Sequence, residues 1–330
     1  MVDREEELDM SLHSSRLIDR CRSRMNERVM LVPPCGELDV GDRRFFRSTA
    51  PIPINDQLAL REMVTNNSTF DGTITCWTGQ SSVFLGNETC AKIQTREHED
   101  LEVVEKFDEI RRKVAIPAPA LLAVGTLRIT EDCRWWSVME RIPHTATGLP
   151  TQVQLEQLGY QLRRWHEEVE PSGLRLDSAG ALGIFLGSMR QDNPAIYQTL
   201  SDLISKATFG KRMTAVHSDL AVSKNALFQD QTLAAVIDPG AIQVAPPMLD
   251  LAWSLAIDLP RGGDGDAILR GYGKRAVDQN HLEALLPLMM IRRLIDCRYH
   301  GDSLATHWMK AWLRRHFPCA DIHPISELLT

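Results

Sequence analysis

The sequence predicts an α+β protein with a β-rich first half and a mainly helical second half. β-prone segments separated by turn residues fill positions 73–139, and a single helical segment interrupts them. After Pro143 and Pro150 the apolar residues recur at the three- and four-residue spacing of helices. Two lobes should therefore meet near residues 140–143. We expect an N-terminal extension without a predicted structure at residues 1–50, an N-lobe at residues 51–141 and a C-lobe at residues 142–330.

Composition excludes several classes of function. The chain has 330 residues, 43% of them hydrophobic and 25% charged, with a formal net charge of −7 and no basic stripe, which argues against a nucleic-acid partner. No apolar run approaches the ~18 residues of a membrane span, and the acidic N-terminus does not resemble a signal peptide. The seven cysteines lie far apart without a CxxC pair, which suits neither zinc nor disulfides. We expect a cytoplasmic protein that binds neither nucleic acid nor membrane.

The predicted elements of the N-lobe follow one another in a simple order. Apolar residues three and four positions apart, from Leu101 to Val114, predict its main helix, which Pro117 and Pro119 end. Asn55 would cap a shorter helix before the first strand. The expected strands cover residues 73–78, 83–85, 89–93, 121–129 and 134–139, with turns at residues 79–82 and 86–87.

The C-lobe is expected to be built mainly from helices. Leu155, Leu158, Leu162 and Trp165 fall on one face of the first of them. Further helical patterns cover residues 248–257, 282–298 and 304–316, and Pro287 is expected to interrupt the second of these three.

Three polar residues in the C-lobe form the strongest chemical signal. Asp219 follows an apolar strand, Asn225 comes shortly after it, and Asp238 ends the next apolar strand. One carboxylate beside a hydroxyl group can accept its proton, while an amide oxygen and a second carboxylate can hold Mg²⁺ on ATP phosphates. Hard oxygen ligands of this kind are those that Mg²⁺ prefers.

The N-lobe supplies complementary groups for phosphate. The turn that contains Gly79, Ser81 and Ser82 lies between two strands and can direct backbone N–H groups at phosphate oxygens. Lys92 lies in the middle of a strand between apolar residues, where a lysine is costly unless its charge has an anionic partner. The α- and β-phosphates of a nucleotide would be such a partner.

Together these residues resemble the aminoglycoside phosphotransferase and choline kinase-like branch of the protein-kinase-like fold. The resemblance covers roughly residues 73–273. It includes a hinge-like segment at residues 138–143 and a helix that ends in Trp-His at residues 162–166. It also includes an Asp-Leu-Ala-Trp sequence at residues 250–253 and a later tail at residues 268–273. The resemblance implies a bilobal protein-kinase-like fold and an ATP-dependent small-molecule kinase, with GTP as an alternative donor.

The resemblance also implies a role for each matching residue. Asp219 would be the catalytic base, Asn225 and Asp238 would be the Mg²⁺ ligands, and Lys92 would bind the α- and β-phosphates. Either Glu102 or Glu105 would orient Lys92, and the sequence does not separate the two. The adenine edge would be read by the Glu140 carbonyl and the Ile142 amide, and the loop that carries the base would be supported by His217 and Asp250.

The sequence departs from the family pattern in the spacing before Asn225. The family places this asparagine five residues after the catalytic aspartate, whereas Asn225 is six after Asp219. Either the loop bulges by one residue, or Lys224 occupies the asparagine position and metal binding is impaired. The apolar run that follows Asn225 favours the bulge. A second departure is the sequence Asp238-Pro239-Gly240, which is closer to the Asp-Phe-Gly of protein kinases than to the aromatic-bearing version of the family.

Three observations argue against a protein kinase. Ser218 stands where many protein kinases have an arginine, the segment between Asp238 and Met248 is too short for an activation loop, and no Ala-Pro-Glu sequence follows. The expected acceptor is therefore a hydroxyl group of a small molecule, and an aminoglycoside, macrolide or peptide antibiotic is one class. An acidic loop at Asp258, Asp264 and Asp266 would suit a polycationic acceptor. The alternatives are a metabolite kinase and a protein of the same fold that has lost catalysis.

Overall fold

A computed structural model describes most of both predicted lobes. It covers residues 37–39, 44–46, 75–78, 81–95, 101–114, 116–129, 132–144, 149–171, 194–208, 210–238, 242–300, 303–316 and 329. Asn55 with the helix that it would cap, and Gly79 with its predicted phosphate contact, lie outside the described residues.

The N-lobe centres on one antiparallel sheet of five strands. Its strands are β3 (Thr75–Thr78), β4 (Ser81–Leu85), β5 (Thr89–Thr95), β6 (Leu121–Ile129) and β7 (Asp132–Glu140), in the order β3-β4-β5-β7-β6. Helix α1 (Leu101–Val114) connects β5 to β6, as its apolar spacing predicts, and the Gly86 N–H bonds to the Thr89 carbonyl in the tight turn between β4 and β5. Two short strands, β1 (Glu37–Asp39) and β2 (Arg44–Phe46), form a separate pair.

Strand β4 begins earlier than its residue types suggested. Ser81 and Ser82 belong to β4, where Ser82 pairs with Thr78 on one side and Ile93 on the other. The prediction of a turn over residues 79–82 was wrong for these two serines, because ladder pairing with both neighbouring strands extends β4 in this direction.

The C-lobe is mainly helical, as predicted, and carries two pairs of short strands. Its helices are α2 (Gln152–Glu168), α3 (Pro194–Thr208), α4 (Met248–Asp258), α5 (Gly265–Tyr272), α6 (Gln279–His300) and α7 (Ser303–His316). The antiparallel strand pairs are β8 (Thr214–Val216) with β11 (Gln243–Ala245), and β9 (Ala226–Gln229) with β10 (Thr232–Val236). No helix in the described ranges combines the length and apolarity needed to cross a membrane.

Helix α6 continues through Pro287, so the predicted interruption was wrong. A proline removes one helical hydrogen bond and usually kinks or ends a helix. The residues around it, Leu285, Leu288 and Met289, are all almost fully buried. Their burial on successive turns stabilises the helix enough to offset the lost bond.

Helices α2 and α5 approach each other so closely that each needs a glycine at the contact. A Cβ atom on Gly159 would lie 2.1 Å from the Ile268 carbonyl oxygen, and one on Gly271 would lie 1.9 Å from the Glu156 carbonyl oxygen. Both obstacles are backbone atoms, which cannot rotate away. This contact fixes the position of Tyr272 relative to α2.

The two lobes meet where α1 packs against the C-lobe core. Phe107 of α1 stacks on Trp165 of α2 at 5.9 Å between ring centroids and meets the His217 ring edge-on. The Val236 N–H donates to the Pro117 carbonyl, which ties the end of β10 to the segment after α1. These contacts hold the N-lobe over the ends of β8 and β10.

The helix contact predicts that Gly271→Ala destabilises the protein. Alanine normally stabilises a helix relative to glycine by about 1 kcal/mol. Here the added methyl group overlaps a backbone carbonyl, so we expect the free energy of unfolding to fall by about 1–3 kcal/mol. Urea denaturation measures this change, and Tyr160→Ala, at a position 58% exposed on α2, is the control. An unchanged or increased stability of Gly271→Ala would contradict the close contact.

Candidate active site

The loop between β8 and β9, residues 217–225, is held to helix α4 by the carboxylate of Asp250. Asp250 is 1% exposed, and its two oxygens accept from the His217 N–H at 2.8 Å and the Ser218 N–H at 2.6 Å. A buried carboxylate is stable when several donors satisfy it. The predicted support role of Asp250 therefore has a direct geometric basis in these two backbone bonds.

Ser218 adopts a left-handed backbone conformation, with φ of 64°. This conformation costs a residue other than glycine on the order of 1 kcal/mol. Besides its bond to Asp250, Ser218 is held by the Gln243 side chain, which donates to its hydroxyl at 2.6 Å, and by the Arg292 guanidinium, which donates to its carbonyl. The surrounding contacts thus hold the sharp backbone bend that precedes Asp219.

A second carboxylate of α4 holds the other end of the loop. Asp258, two turns after Asp250, accepts from the backbone N–H groups of Val222 and Ser223 and from the Ser223 hydroxyl at 2.7 Å. Between them, the Ser254 hydroxyl donates to the Leu220 carbonyl at 2.5 Å. One face of α4 therefore binds the backbone of the loop along most of its length.

Burial raises the pKa of Asp258 above its ordinary value of 3.8, and the hydrogen bonds from Ser223 and Val222 act in the opposite direction. The buried Asp258 side chain therefore interacts with groups of this protein and not with solvent. Asp264 caps the N-terminus of α5 by accepting from the Asp266 N–H. The predicted acidic loop for a polycationic acceptor was wrong for both residues, since their carboxylates bind this protein's own backbone.

The extra residue before Asn225 is accommodated in a tight turn. Ala221 and Lys224 exchange two backbone hydrogen bonds, at 2.8 and 3.0 Å. Asn225 follows with φ of 63°, and its side-chain amide donates to the Asp219 carboxylate at 3.0 Å and to the Asp219 carbonyl. Of the two alternatives that the spacing allows, the structure has the bulge, and Asn225 remains beside Asp219.

Asp219 lies in a dense set of donors. Its Oδ1 accepts from the Trp253 indole N–H at 3.0 Å and from the Lys224 ammonium at 2.9 Å, and its Oδ2 accepts from Asn225. The side chain is 9% exposed. The position of this carboxylate is therefore fixed from three directions, by residues of the loop itself and of α4.

Asp238 follows β10 and faces the N-lobe. It too has a left-handed backbone, with φ of 60°, and its Oδ1 forms an ion pair with Lys92 of β5 at 2.6 Å. Partial burial acts to raise the pKa of Asp238, but the charge and hydrogen bond of Lys92, with His217 and Lys224 nearby, hold this pKa below its ordinary value. The carboxylate is thus ionised beside two lysines.

His217 links the two parts of the site. Its ring Nε2 lies 3.1 Å from the Ile237 carbonyl oxygen, and the Ile237 N–H donates to the Asn225 carbonyl at 2.9 Å. These bonds hold the residue before Asp238 against the loop that carries Asp219. The structure therefore brings together Lys92 and the four C-lobe residues that the sequence singled out, namely His217, Asp219, Asn225 and Asp238.

The remaining predicted residues are less engaged. Glu105 is exposed on α1, and the side chain of Glu102 lies outside the described side chains. Glu140 is exposed at the end of β7, and its N–H donates to the Ala120 carbonyl. Ile142 follows in the connection between the lobes, where its carbonyl accepts from His144. The predicted adenine contacts of Glu140 and Ile142 stay predictions.

Sequence reasoning missed a buried network behind Asp250. The His166 ring joins the Asp250 carboxylate, at 3.0 Å, to the Tyr272 hydroxyl, at 2.9 Å. The Thr214 hydroxyl donates to the His166 carbonyl. In the sequence, His166 stood out only as the end of the Trp-His helix. Asp250 was the available signal for its partner, because a buried carboxylate needs hydrogen-bond donors.

The described residues contain no group of three histidine, cysteine or acidic side chains that could hold a metal by themselves. Asn225 and Asp238 offer two hard oxygen atoms, which suits a metal that takes its other ligands from phosphates and water. Because the Asn225 amide nitrogen donates to Asp219, its amide oxygen is the atom left for such a metal.

Comparison with known proteins identifies the family. A sequence model described as "phosphotransferase enzyme family" matches residues 85–288, more than half of the chain. The chain belongs to the phosphotransferase enzyme family. The prediction of a small-molecule kinase is thereby confirmed at the level of the family, and the matched region of this phosphotransferase includes Lys92 and the whole 217–225 loop.

Solved structures of other proteins share the fold of this phosphotransferase. A microcompartment-associated aminopropanol kinase is 15% identical, with a TM-score of 0.57 over 78% of this chain and 97% of the other. The GDP and kanamycin complex of an APH(2″) enzyme is 14% identical, with a TM-score of 0.54 over 78% and 98%. The complex of spectinomycin phosphotransferase with ADP and spectinomycin is 16% identical, with a TM-score of 0.50 over 85% and 98%. A search of curated proteins finds no match.

The contacts of Asp258 predict different effects of two substitutions. Asp258→Ala leaves two backbone N–H groups and a hydroxyl without an acceptor, so we expect a loss of roughly 2–5 kcal/mol of stability. Asp258→Asn keeps an acceptor oxygen and should lose much less. Chemical denaturation of both variants measures these losses, and equal losses would contradict the assigned contacts.

The raised pKa of Asp258 adds a dependence on pH. The folded protein keeps a proton on this group at pH values where the unfolded chain, with a pKa of 3.8, has released it. Stability from this group is therefore full below pH 3.8 and falls as the pH rises through the folded pKa. The stability difference between the unmodified protein and Asp258→Asn should fall over that window, and a difference that rises with pH would contradict the direction of the shift.

Proposed function

We propose that this phosphotransferase moves the γ-phosphoryl group of ATP to a hydroxyl group of a small acceptor, with Asp219 as the base. The observation that carries the proposal is the cluster of Asp219, Asn225, Asp238 and Lys92 at the junction of the lobes. Each residue type suits one requirement of phosphoryl transfer, namely proton acceptance, metal ligation or phosphate binding. GTP is an alternative donor.

The environment of Asp219 supports its role as base. An ionised carboxylate has about four acceptor positions, and Trp253, Lys224 and Asn225 occupy three of them. One position on Oδ2 is left for the proton of an acceptor hydroxyl. Fixed donors on the other positions hold the carboxylate in one orientation, which favours proton transfer from a hydroxyl group bound in line with the γ-phosphate.

Asn225 and Asp238 would hold the magnesium ion of Mg·ATP. Bound there, the ion would neutralise charge on the β- and γ-phosphates during transfer. Asp238 already carries a negative charge stabilised by Lys92. Lys92 would contact the α- and β-phosphates once nucleotide is present, since its ammonium group lies at the same junction, on a side chain that is 12% exposed.

The acceptor would lie on the C-lobe side of Asp219. The segment between Trp165 and Thr214 and the C-terminal helices would form its walls, and residues 172–193 of that segment lie outside the described residues. Aminoglycosides and other antibiotics are the first acceptor class to test, because similar structures include complexes with kanamycin and spectinomycin. A metabolite acceptor is the second candidate, favoured by the fold shared with an aminopropanol kinase.

Release of ADP with a panel of antibiotics and small metabolic alcohols tests the proposal. We expect Mg²⁺-dependent turnover with at least one acceptor, and a fall of roughly 10²–10⁴-fold in Asp219→Asn, which cannot accept the proton. Lys113→Gln, which changes an exposed lysine of α1, is the control and should keep full activity.

Binding of Mg·ADP by Asp219→Asn separates loss of catalysis from loss of folding. The variant should bind Mg·ADP as the unmodified protein does. Turnover that persists in Asp219→Asn would show that another group is the base. Nucleotide binding without turnover on any acceptor would favour the alternative of a protein that has lost catalysis.

A further inference from the structure

We infer that Lys224, the residue before Asn225, is a further catalytic residue that binds the γ-phosphoryl group while it is transferred. The inference rests on the proposed function, because it takes Asp219 to be the base beside the acceptor hydroxyl. Three observations carry it: the position of the ammonium group, the turn that produces this position, and the balance of charges in the site.

The ammonium group of Lys224 lies 2.9 Å from Oδ1 of Asp219 and is part of a side chain that is 32% exposed. In a reactive complex the acceptor oxygen lies about 3 Å from its base and about 3–3.5 Å from phosphorus. The γ-phosphorus would therefore lie within roughly 6.5 Å of Asp219, with the γ-phosphoryl oxygens around it. The flexible stem of a lysine can keep the ammonium beside the carboxylate and reach these oxygens.

The turn from Ala221 to Lys224 explains why a lysine occupies this place. Two backbone hydrogen bonds close the turn, and its far side is fixed by Asp258 through Val222 and Ser223. The loop therefore takes up its additional residue without moving Asn225 away from Asp219. Lys224 and Asn225 both reach the same carboxylate, one through an ion pair and the other through an amide.

The charges of the site require a cation on the Asp219 side. Asp219 and Asp238 are matched by Lys224 and Lys92, each in an ion pair within 3 Å. Lys92 comes from β5 and serves the Asp238 side, where the α- and β-phosphates are expected. The transferred group passes towards Asp219, and its oxygens carry negative charge that a fixed cation stabilises. Lys224 is the lysine placed there.

The transfer step is balanced with Lys224 as a donor only. The acceptor oxygen forms a bond to the γ-phosphorus, and its proton passes to Asp219. The bond between the γ-phosphorus and the bridging oxygen breaks, and its electron pair stays on that oxygen of ADP. Lys224 keeps its proton throughout and donates hydrogen bonds to the non-bridging oxygens of the transferred group.

Calorimetric titration with two nucleotides tests this inference without knowledge of the acceptor. The probes are Mg·ADP, which has no γ-phosphate, and the non-hydrolysable Mg·AMP-PNP, which has one. Lys224→Met should weaken Mg·AMP-PNP on the order of 10-fold to 100-fold, the effect of one hydrogen bond to a charged group. It should leave Mg·ADP binding unchanged, and Lys224→Arg should restore most of the Mg·AMP-PNP affinity.

Two further variants serve as controls. Lys211 forms an ion pair of nearly the same length with Asp278, at 2.8 Å, and has a similarly exposed side chain. Lys211→Met should therefore change neither affinity. Lys224→Gln keeps a donor for Asp219 without the charge, and should lose Mg·AMP-PNP affinity even if the methionine variant does not fold.

The outcomes separate this inference from the proposed function. Equal weakening of both nucleotides, or of neither, in the Lys224 variants would overturn the γ-phosphoryl contact while leaving the proposed function in place. If the unmodified protein bound neither nucleotide, both proposals would be overturned together.

Discussion

The geometry of the site depends on hydrogen bonds between one buried face of α4 and the backbone of the 217–225 loop. Asp250 and Asp258, two turns apart, accept four of the loop's backbone N–H groups between them, and Ser254 binds a loop carbonyl. Buried backbone groups must find such partners. If the loop moved away from α4, the two buried carboxylates would lose their hydrogen-bond donors. Helix α4 therefore sets the shape of the loop.

This arrangement explains how strained residues persist at the site. Ser218, Asn225 and Asp238 all have positive φ values, which residues other than glycine rarely adopt. Each is fixed by side-chain contacts, from Asp250 and Gln243 to Ser218, from Asn225 to Asp219, and from Lys92 to Asp238. The same contacts orient polar groups into the junction of the lobes, so the strain accompanies the placement of reactive groups.

The sequence predicted the parts of the site that depend on local order along the chain. Asp219, Asn225 and Asp238 stand at the ends of apolar strands, and Lys92 interrupts an apolar strand. Each could therefore be recognised from its own neighbours in the sequence. Contacts between distant segments were not visible in this way. Lys224 was considered only as a competitor of Asn225, because a turn that directs both side chains to Asp219 depends on how Asp258 holds it.

Asp258 shows most clearly what the sequence analysis did not predict. Its neighbours in sequence, Asp264 and Asp266, suggested a surface acidic loop, but its spacing from Asp250 and Ser254 places it on the buried face of α4. That four-residue period of polar side chains, inside an otherwise apolar helical segment, was present in the sequence and was the available signal. The predicted interruption of α6 at Pro287 was wrong for the opposite reason. There, burial in the tertiary structure outweighs the local tendency of proline to end a helix.

Turnover of Trp253→Phe is the most direct test of the claim that α4 positions the base. Trp253 is fully buried, stacks with Arg292 at 3.7 Å and donates its indole N–H to Asp219. Phenylalanine keeps an aromatic ring there and removes the donor. With the acceptor found in the panel, kcat should fall by about tenfold or more, while the Mg·ADP affinity stays that of the unmodified protein. An unchanged kcat would contradict the account, because the base would then be oriented without α4.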